Sequence, residues 1–158
     1  MHLITSEELS PLSPQIPPEN KLIEIHLTEQ LIIAYEYDRA VFMARTATGA
    51  KFRNGDYTTP IGWHSIVYKK PSRHMAAGDR AAANSYDLPG IPWVSYFTED
   101  GVAFHGTFWH NDFGKPRSHG CVNLTPQAAR WVYRWTTPVV LLEEDKTFKN
   151  GGTLVHVI

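Results

Sequence analysis

Only one stretch of this 158-residue chain spaces its apolar residues as a helix would. Behind Thr125 as N-cap and Pro126 at the first helical position, Ala128, Trp131, Val132 and Trp135 fall at i, i+3, i+4 and i+7 and form one apolar stripe. The other patterned segments alternate. Ile23, Ile25 and Leu27 are separated by Glu24 and His26, and 31–37 and 40–48 follow with Tyr37-Asp38-Arg39 between them. Segments 63–69, 91–97, 102–105, 139–142 and 153–158 read as further strands, with Asn150-Gly151-Gly152 as the turn before the last. The expectation is a mainly β, α+β fold whose single helix lays its tryptophans on a sheet.

A chain of this length fits one domain and can bury roughly 70% of the surface it exposes when unfolded. Residues 1–20 are proline-rich and weakly apolar, which predicts an extended linker outside the packed body, with the domain occupying 21–158. Segment 71–92 is poor in β-branched residues and rich in Ala, Gly, Asp and Pro, and so reads as a long loop. It is expected to be a lid over a site or a surface excursion, with a short helical turn at 79–84. No internal repeat is present.

Lys plus Arg number 15 against 16 Asp plus Glu, with a pI near 6.7. That balance removes the electrostatic reason to expect nucleic acid or an anionic membrane as partner and suits a neutral or zwitterionic substrate. No run approaches membrane-spanning length. Residues 1–20 hold four prolines and several acids where a secretory signal would carry a basic stretch and an apolar run. The chain is therefore expected either to work inside the cell or to be the mature part of a longer precursor. Its single cysteine, Cys121, is either a small buried hydrophobe or a reactive thiol.

The neighbours of Cys121 favour the reactive thiol. His105-Gly106-Thr107 precedes Ser118-His119-Gly120-Cys121-Val122-Asn123, so that His105 stands sixteen positions before the cysteine. A thiol with a pKa of ~8.5 needs a base or cation to become a nucleophile at neutral pH. His105, at the end of strand 102–105, is the preferred base; His119 is its competitor, although two residues from Cys121 its side chain need not converge on the sulfur. Acyl chemistry also needs donors for an oxyanion, and the amides of His119, Gly120 and Cys121 are expected to supply them, Gly120 allowing close approach. Ser118 and Asn123 can brace the turn or meet substrate. Phe108 and Trp109, on the loop between His105 and Cys121, could wall an acyl pocket, and Arg117 could meet a substrate carboxylate. Lys115 is expected to be solvated; His64, His74, His110 and His156 are expected to be structural or exposed.

Thr48-Gly49, Thr59-Pro60-Ile61-Gly62, His105-Gly106-Thr107, Gly114 and Ser118-His119-Gly120-Cys121-Val122-Asn123 resemble, in that order, the L,D-transpeptidase catalytic domain, or YkuD domain, from about 21 to 142. The resemblance implies a β-sandwich of mixed sheets with one main helix after the cysteine and a flexible lid. It implies a peptidoglycan cysteine transpeptidase without cofactor: the residue matching Cys121 attacks a tetrapeptide stem after its third residue and releases D-alanine. An amine of a neighbouring stem then resolves the acyl-enzyme in a 3-3 cross-link, with the histidine matching His105 as base and then acid. The residue after that histidine helps orient it in some members; here it is Gly106, so only backbone could serve. Carbapenem acylation of Cys121 and an extracytoplasmic location in the cell envelope or periplasm are further implications.

Rival readings are hydrolysis of the same acyl-enzyme in the manner of an L,D-carboxypeptidase, a non-catalytic wall-binding module, and a zinc hydrolase using His105, His119 and Cys121. The spacing of His105, His110, Asp112, His119 and Cys121 matches no standard zinc pattern. A sortase-like transpeptidase would also place His before Cys, but no later arginine stands in the expected strand context.

Overall fold

The fold is given by a computed structural model that describes residues 10–77, 86–139, 146–147 and 151–158. The opening alternation becomes β1 (Lys21–His26), with Ile23 and Ile25 fully buried and Glu24 between them turned the other way. Antiparallel to it runs β2 (Leu31–Glu36), and then β3 (Arg39–Arg45), which forms the edge. A small hairpin, β4 (Lys51–Phe52) and β5 (Gly55–Asp56), stands apart, and β6 (Gly62–Ser65) leads to β7 (Tyr68–Ala77). The chain continues through β8 (Tyr86–Tyr96), β9 (Ala103–Gly106), β10 (Val122–Leu124), helix α1 (Pro126–Trp135), β11 (Lys146–Thr147) and β12 (Leu154–Val157). Two five-stranded mixed sheets result, ordered β3-β2-β1-β12-β6 and β10-β9-β8-β7-β11.

One core joins them. Ile23, Ile25, Ile32, Val155 and Val157 from the first sheet meet Phe104, Val122 and Leu124 from the second and Ala129, Val132 and Trp135 from α1. Each fully buried aliphatic or Phe side chain contributes roughly 1.5–3 kcal/mol relative to exposure. The helix starts where the sequence places it, Thr125 Oγ1 accepting the Ala128 N–H at 3.2 Å. Its far end is closed by two buried lysines: Lys69 Nζ donates to the carbonyls of Tyr133 (2.8 Å) and Thr136 (2.6 Å), and Lys21 Nζ to those of Trp135 (2.8 Å) and Leu12 (3.3 Å). Cations at the negative end of the helix dipole satisfy carbonyls that have no partner within the helix.

Four expectations are corrected. Residues 10–20 are not outside the body: the Leu12 N–H bonds the Arg134 carbonyl at 2.9 Å, Arg134 Nε bonds Ser10 O at 2.8 Å, and Leu12 packs on the core. The C-terminal end of the helix offers a further acceptor and apolar surface that composition cannot reveal. Segment 71–92 is not a structureless loop, because β7 and β8 pair as a long antiparallel hairpin with a shift in register between Arg73 and Met75. Pro89 and Pro92 are tolerated there because β8 meets β9 only at Ser95 and Tyr96, leaving its outer part an edge. The expected turn at 79–84 lies outside the described residues. Segment 63–69 is two strands in different sheets, divided where the Ile66 N–H bonds Thr153 O and the Val67 N–H bonds Tyr96 O. Val139 is not in a strand, and 140–142 lie outside the described residues.

Candidate active site

The register of β9 and β10 decides which side chains share a face. The two strands run parallel, with Val122 opposite Phe104 and Asn123 opposite His105. Phe104 and Val122 both enter the core, so alternation puts His105 and Asn123 together on the other face. Cys121, immediately before β10, falls on that same face, diagonal to His105. The thiol donates to the Gly101 carbonyl at 3.7 Å, and Cys121 keeps partial exposure.

His105 is only 4% exposed. Its Nδ1 lies 3.1 Å from the Gly106 carbonyl, with the Thr107 hydroxyl 3.5 Å away. A carbonyl only accepts, so Nδ1 carries the proton and Nε2 presents the lone pair. The space around Gly106 admits no side chain, since a Cβ there would sit 2.8 Å from Pro92 Cγ. Burial lowers the His105 pKa to about 4, opposed by the Gly106 carbonyl and reinforced by His110. Burial likewise raises Cys121 to about 11, opposed by the Ala103 backbone. At rest the pair is therefore neutral thiol and neutral imidazole.

Segment 46–50 holds the turn that carries the thiol. Ala47 and Asn123 exchange both backbone hydrogen bonds, Thr48 O accepts from the amides of Arg117 and Ser118, and the Ala50 N–H reaches Ser118 O. Gly49 lies against Gly120 so closely that a Cβ would come within 2.9 Å of its Cα and 1.9 Å of Tyr57 O. Thr59 Oγ1 donates to Gly120 O at 2.7 Å and accepts the Gly49 N–H at 3.0 Å. Within the turn, Ser118 Oγ donates to the Cys121 carbonyl and accepts the Gly120 N–H at 3.1 Å. Gly120 adopts φ of 126°, which favours glycine.

That last bond corrects the expected oxyanion hole. With its N–H committed to Ser118, Gly120 shapes the turn and is not a donor to substrate. The Cys121 N–H has no acceptor among the described residues and keeps its place as a candidate donor. The His119 ring is stacked on Phe52 (4.6 Å between centroids) and edge-on to Tyr57 (4.9 Å).

The remaining candidates divide. Trp109 lies 5.9 Å from the His105 ring and packs with Cys121 on the small cluster of Ile91, Val94, Tyr96 and Ala103. Phe108 is 66% exposed and meets Trp109 edge-on, with 5.2 Å between ring centroids. Arg117 is paired with Asp112, to which Lys115 also lies within 3.8 Å. His110, expected to be structural or exposed, instead contacts the Asn123 side chain at 3.1 Å. Thr59, Tyr57 and Phe52 also join the site; only the Thr-Pro pair at 59–60 signals this in the sequence. Among the described residues, no three or more His, Cys, Asp or Glu side chains gather in a way that could hold a metal ion. No helix among them is long and apolar enough to cross a membrane.

Comparison with known proteins agrees with this fold. Residues 20–157 match the family described as the L,D-transpeptidase catalytic domain. YciB of Bacillus subtilis (strain 168), an L,D-transpeptidase by its provisional name, is 25% identical over 130 residues, covering 76% of this chain and 63% of that protein. An L,D-transpeptidase from Mycobacterium smegmatis superimposes with a TM-score of 0.70 at 19% identity, over 88% of this chain and 58% of that one. L,D-transpeptidase 3 from Mycobacterium tuberculosis, in complex with a faropenem-derived adduct, gives 0.68 at 18% identity over 87% and 60%. The chain thus spans about three-fifths of the length of these relatives. Their fold and the family match agree, and this chain belongs to the L,D-transpeptidase catalytic domain family.

Proposed function

We propose that this chain is the catalytic unit of a cysteine transpeptidase acting on peptidoglycan stem peptides outside the cytoplasmic membrane, with residues 21–158 as the domain and 10–20 docked on its helix end. The observation that carries the reading is the placement of Cys121 and His105 on one face of paired strands, with His105 Nδ1 turned to Gly106 O and Nε2 left basic.

The chemistry follows from the neutral resting pair. As Cys121 Sγ bonds to the carbonyl carbon of the third stem residue, His105 Nε2 takes the thiol proton and the oxyanion is held by the amides of Cys121 and His119. Collapse breaks the C–N bond, and the imidazolium returns its proton to the departing D-alanine amine, leaving a thioester. An amine of a neighbouring stem then attacks, His105 takes its proton, and the sulfur leaves as the thiol. With burial raising the thiol to about 11 and lowering the imidazole to about 4, this reading is general-base catalysis concerted with attack, not chemistry on a preformed ion pair. Asn123 and Trp109 are the substrate contacts the geometry supports best. Water in place of the amine would make the same intermediate an L,D-carboxypeptidase product. The faropenem-derived adduct of the M. tuberculosis relative supports β-lactams as acylating inhibitors of Cys121.

Incubation with a defined disaccharide tetrapeptide and measurement of product masses tests the assignment. Loss of alanine with formation of a cross-linked dimer is expected; tripeptide alone would assign hydrolysis, and unchanged substrate would refute both.

A further inference from the structure

Asn123 is 4% exposed and stands opposite His105 in the ladder. One end of its side-chain amide lies 3.1 Å from His110 Nε2, while His110 Nδ1 is 3.0 Å from the backbone N–H of Asp112. An N–H of the main chain can only donate, so Nδ1 is an acceptor. A neutral imidazole has one acceptor and one N–H, which places the proton on Nε2. That proton needs an oxygen, so Asn123 turns Oδ1 to His110 and its NH2 group the opposite way. Burial and the nearby Arg117 cation both hold the His110 pKa below its usual value, which keeps the ring in this neutral form.

Before that turn, the far end of the amide is Oδ1, which is buried and has no donor among the described residues. After it, the far end is an NH2 donor on the face shared with Cys121 and His105. A buried NH2 group there needs an acceptor, and an oxygen brought by a ligand can supply it. We infer that His110 is a positioning residue: its Nε2–H locks the Asn123 amide with NH2 towards the cleft, making Asn123 a donor to a carbonyl or carboxylate oxygen of the acyl-donor peptide. Without His110 the amide can rotate and present oxygen to oxygen, so binding weakens while the thiol chemistry stays intact. This inference rests on the transpeptidase reading for its substrate but not for the state of His110.

Two measurements test it. Nitrogen-15 NMR of the free protein should show His110 as the Nε2–H tautomer at pH 7; an Nδ1–H tautomer would overturn the inference whatever the enzyme does. With disaccharide tetrapeptide, His110→Leu should lower kcat/KM about tenfold, the range set by one hydrogen bond, chiefly through KM. Iodoacetamide labelling of Cys121 should be unaffected. His110→Gln, whose NH2 can meet the Asn123 oxygen, should restore most of the loss, and in an Asn123→Ala background His110→Leu should add nothing. An equal effect of His110→Leu in both backgrounds, or no rescue by Gln, would also overturn it. Wild-type protein that leaves the tetrapeptide intact would refute the transpeptidase reading instead, with the tautomer still deciding the role of His110.

Discussion

Thr59 Oγ1 donates a 2.7 Å hydrogen bond to the carbonyl of Gly120, the residue before the candidate nucleophile. The same hydroxyl accepts the Gly49 N–H, so one buried oxygen ties together three segments. Thr59→Val keeps the shape and strands both backbone groups, a cost of about 1–3 kcal/mol for each buried group left unsatisfied. The expected result is a lower urea midpoint and slower acylation of Cys121 by a carbapenem. Thr59→Ser should recover most of both, and a Val variant as stable and fast as wild type would exclude the clamp.

Removal of the sulfur or the base separates the two roles. Cys121→Ala should abolish the carbapenem adduct seen by intact-mass spectrometry. His105→Ala should slow its formation severely, on the order of 10²–10⁴-fold for a lost general base, while the fold persists. An undiminished adduct on the Cys121→Ala protein would end the assignment of the nucleophile.

The fold is legible where one element carries its own signal and obscure where a partner supplies it. Helix α1 is readable because Thr125, Pro126 and the 128-131-132-135 stripe specify start, period and face locally. β1, β2 and β3 are readable for the same reason. β10 is not, since three residues after Cys121 become a strand only by pairing with β9, and 71–92 becomes a hairpin through backbone ladders that its prolines and glycines do not advertise. Thr48-Gly49 and Thr59-Pro60 are visible as motifs, but their use as a clamp on Gly120 depends on contacts spanning 61 residues. His110 is invisible as a site residue because Asn123 lies thirteen positions away and no spacing rule joins them.

Acid should weaken the fold through His105. Its folded pKa of about 4 lies below the usual 6.5, so the unfolded chain takes up the proton first. Stability is therefore full above pH 6.5 and falls as pH drops towards 4, by on the order of 3 kcal/mol from this group. Urea titrations from pH 7 to 4 should show that slope, and His105→Gln should flatten it. A slope unchanged by the substitution would place the acid sensitivity elsewhere.

Cys121 predicts the opposite limb. Its thiol sits at about 11 in the fold against an ordinary value of 9.0, so the folded state holds the proton longer and stability falls as pH rises from 9 towards 11. Alkylation by neutral iodoacetamide should climb through this range without a plateau near neutrality, because no thiolate is stored at rest. A plateau below pH 8 would instead require a preformed thiolate and imidazolium.

Lys69 supplies a test of how the helix end is built. Its ammonium is fully buried between the carbonyls of Tyr133 and Thr136, and burial first, then the Lys21 charge, pushes its pKa well below 10.5. Between that depressed value and 10.5 the unfolded chain binds the proton more readily, so this group makes stability rise with pH. Measured in Cys121→Ala, which removes the opposing thiol contribution, unfolding free energy should increase from pH 8 to 10. Lys69→Met fills the same space without a titrating group, so the increase should shrink to what Lys21 alone contributes. The two carbonyls then lose their donor, and the last turn of α1 should exchange its amide hydrogens faster even where global stability is preserved. Unchanged exchange at Tyr133 to Thr136 would show that the lysine fills space there without holding the helix end.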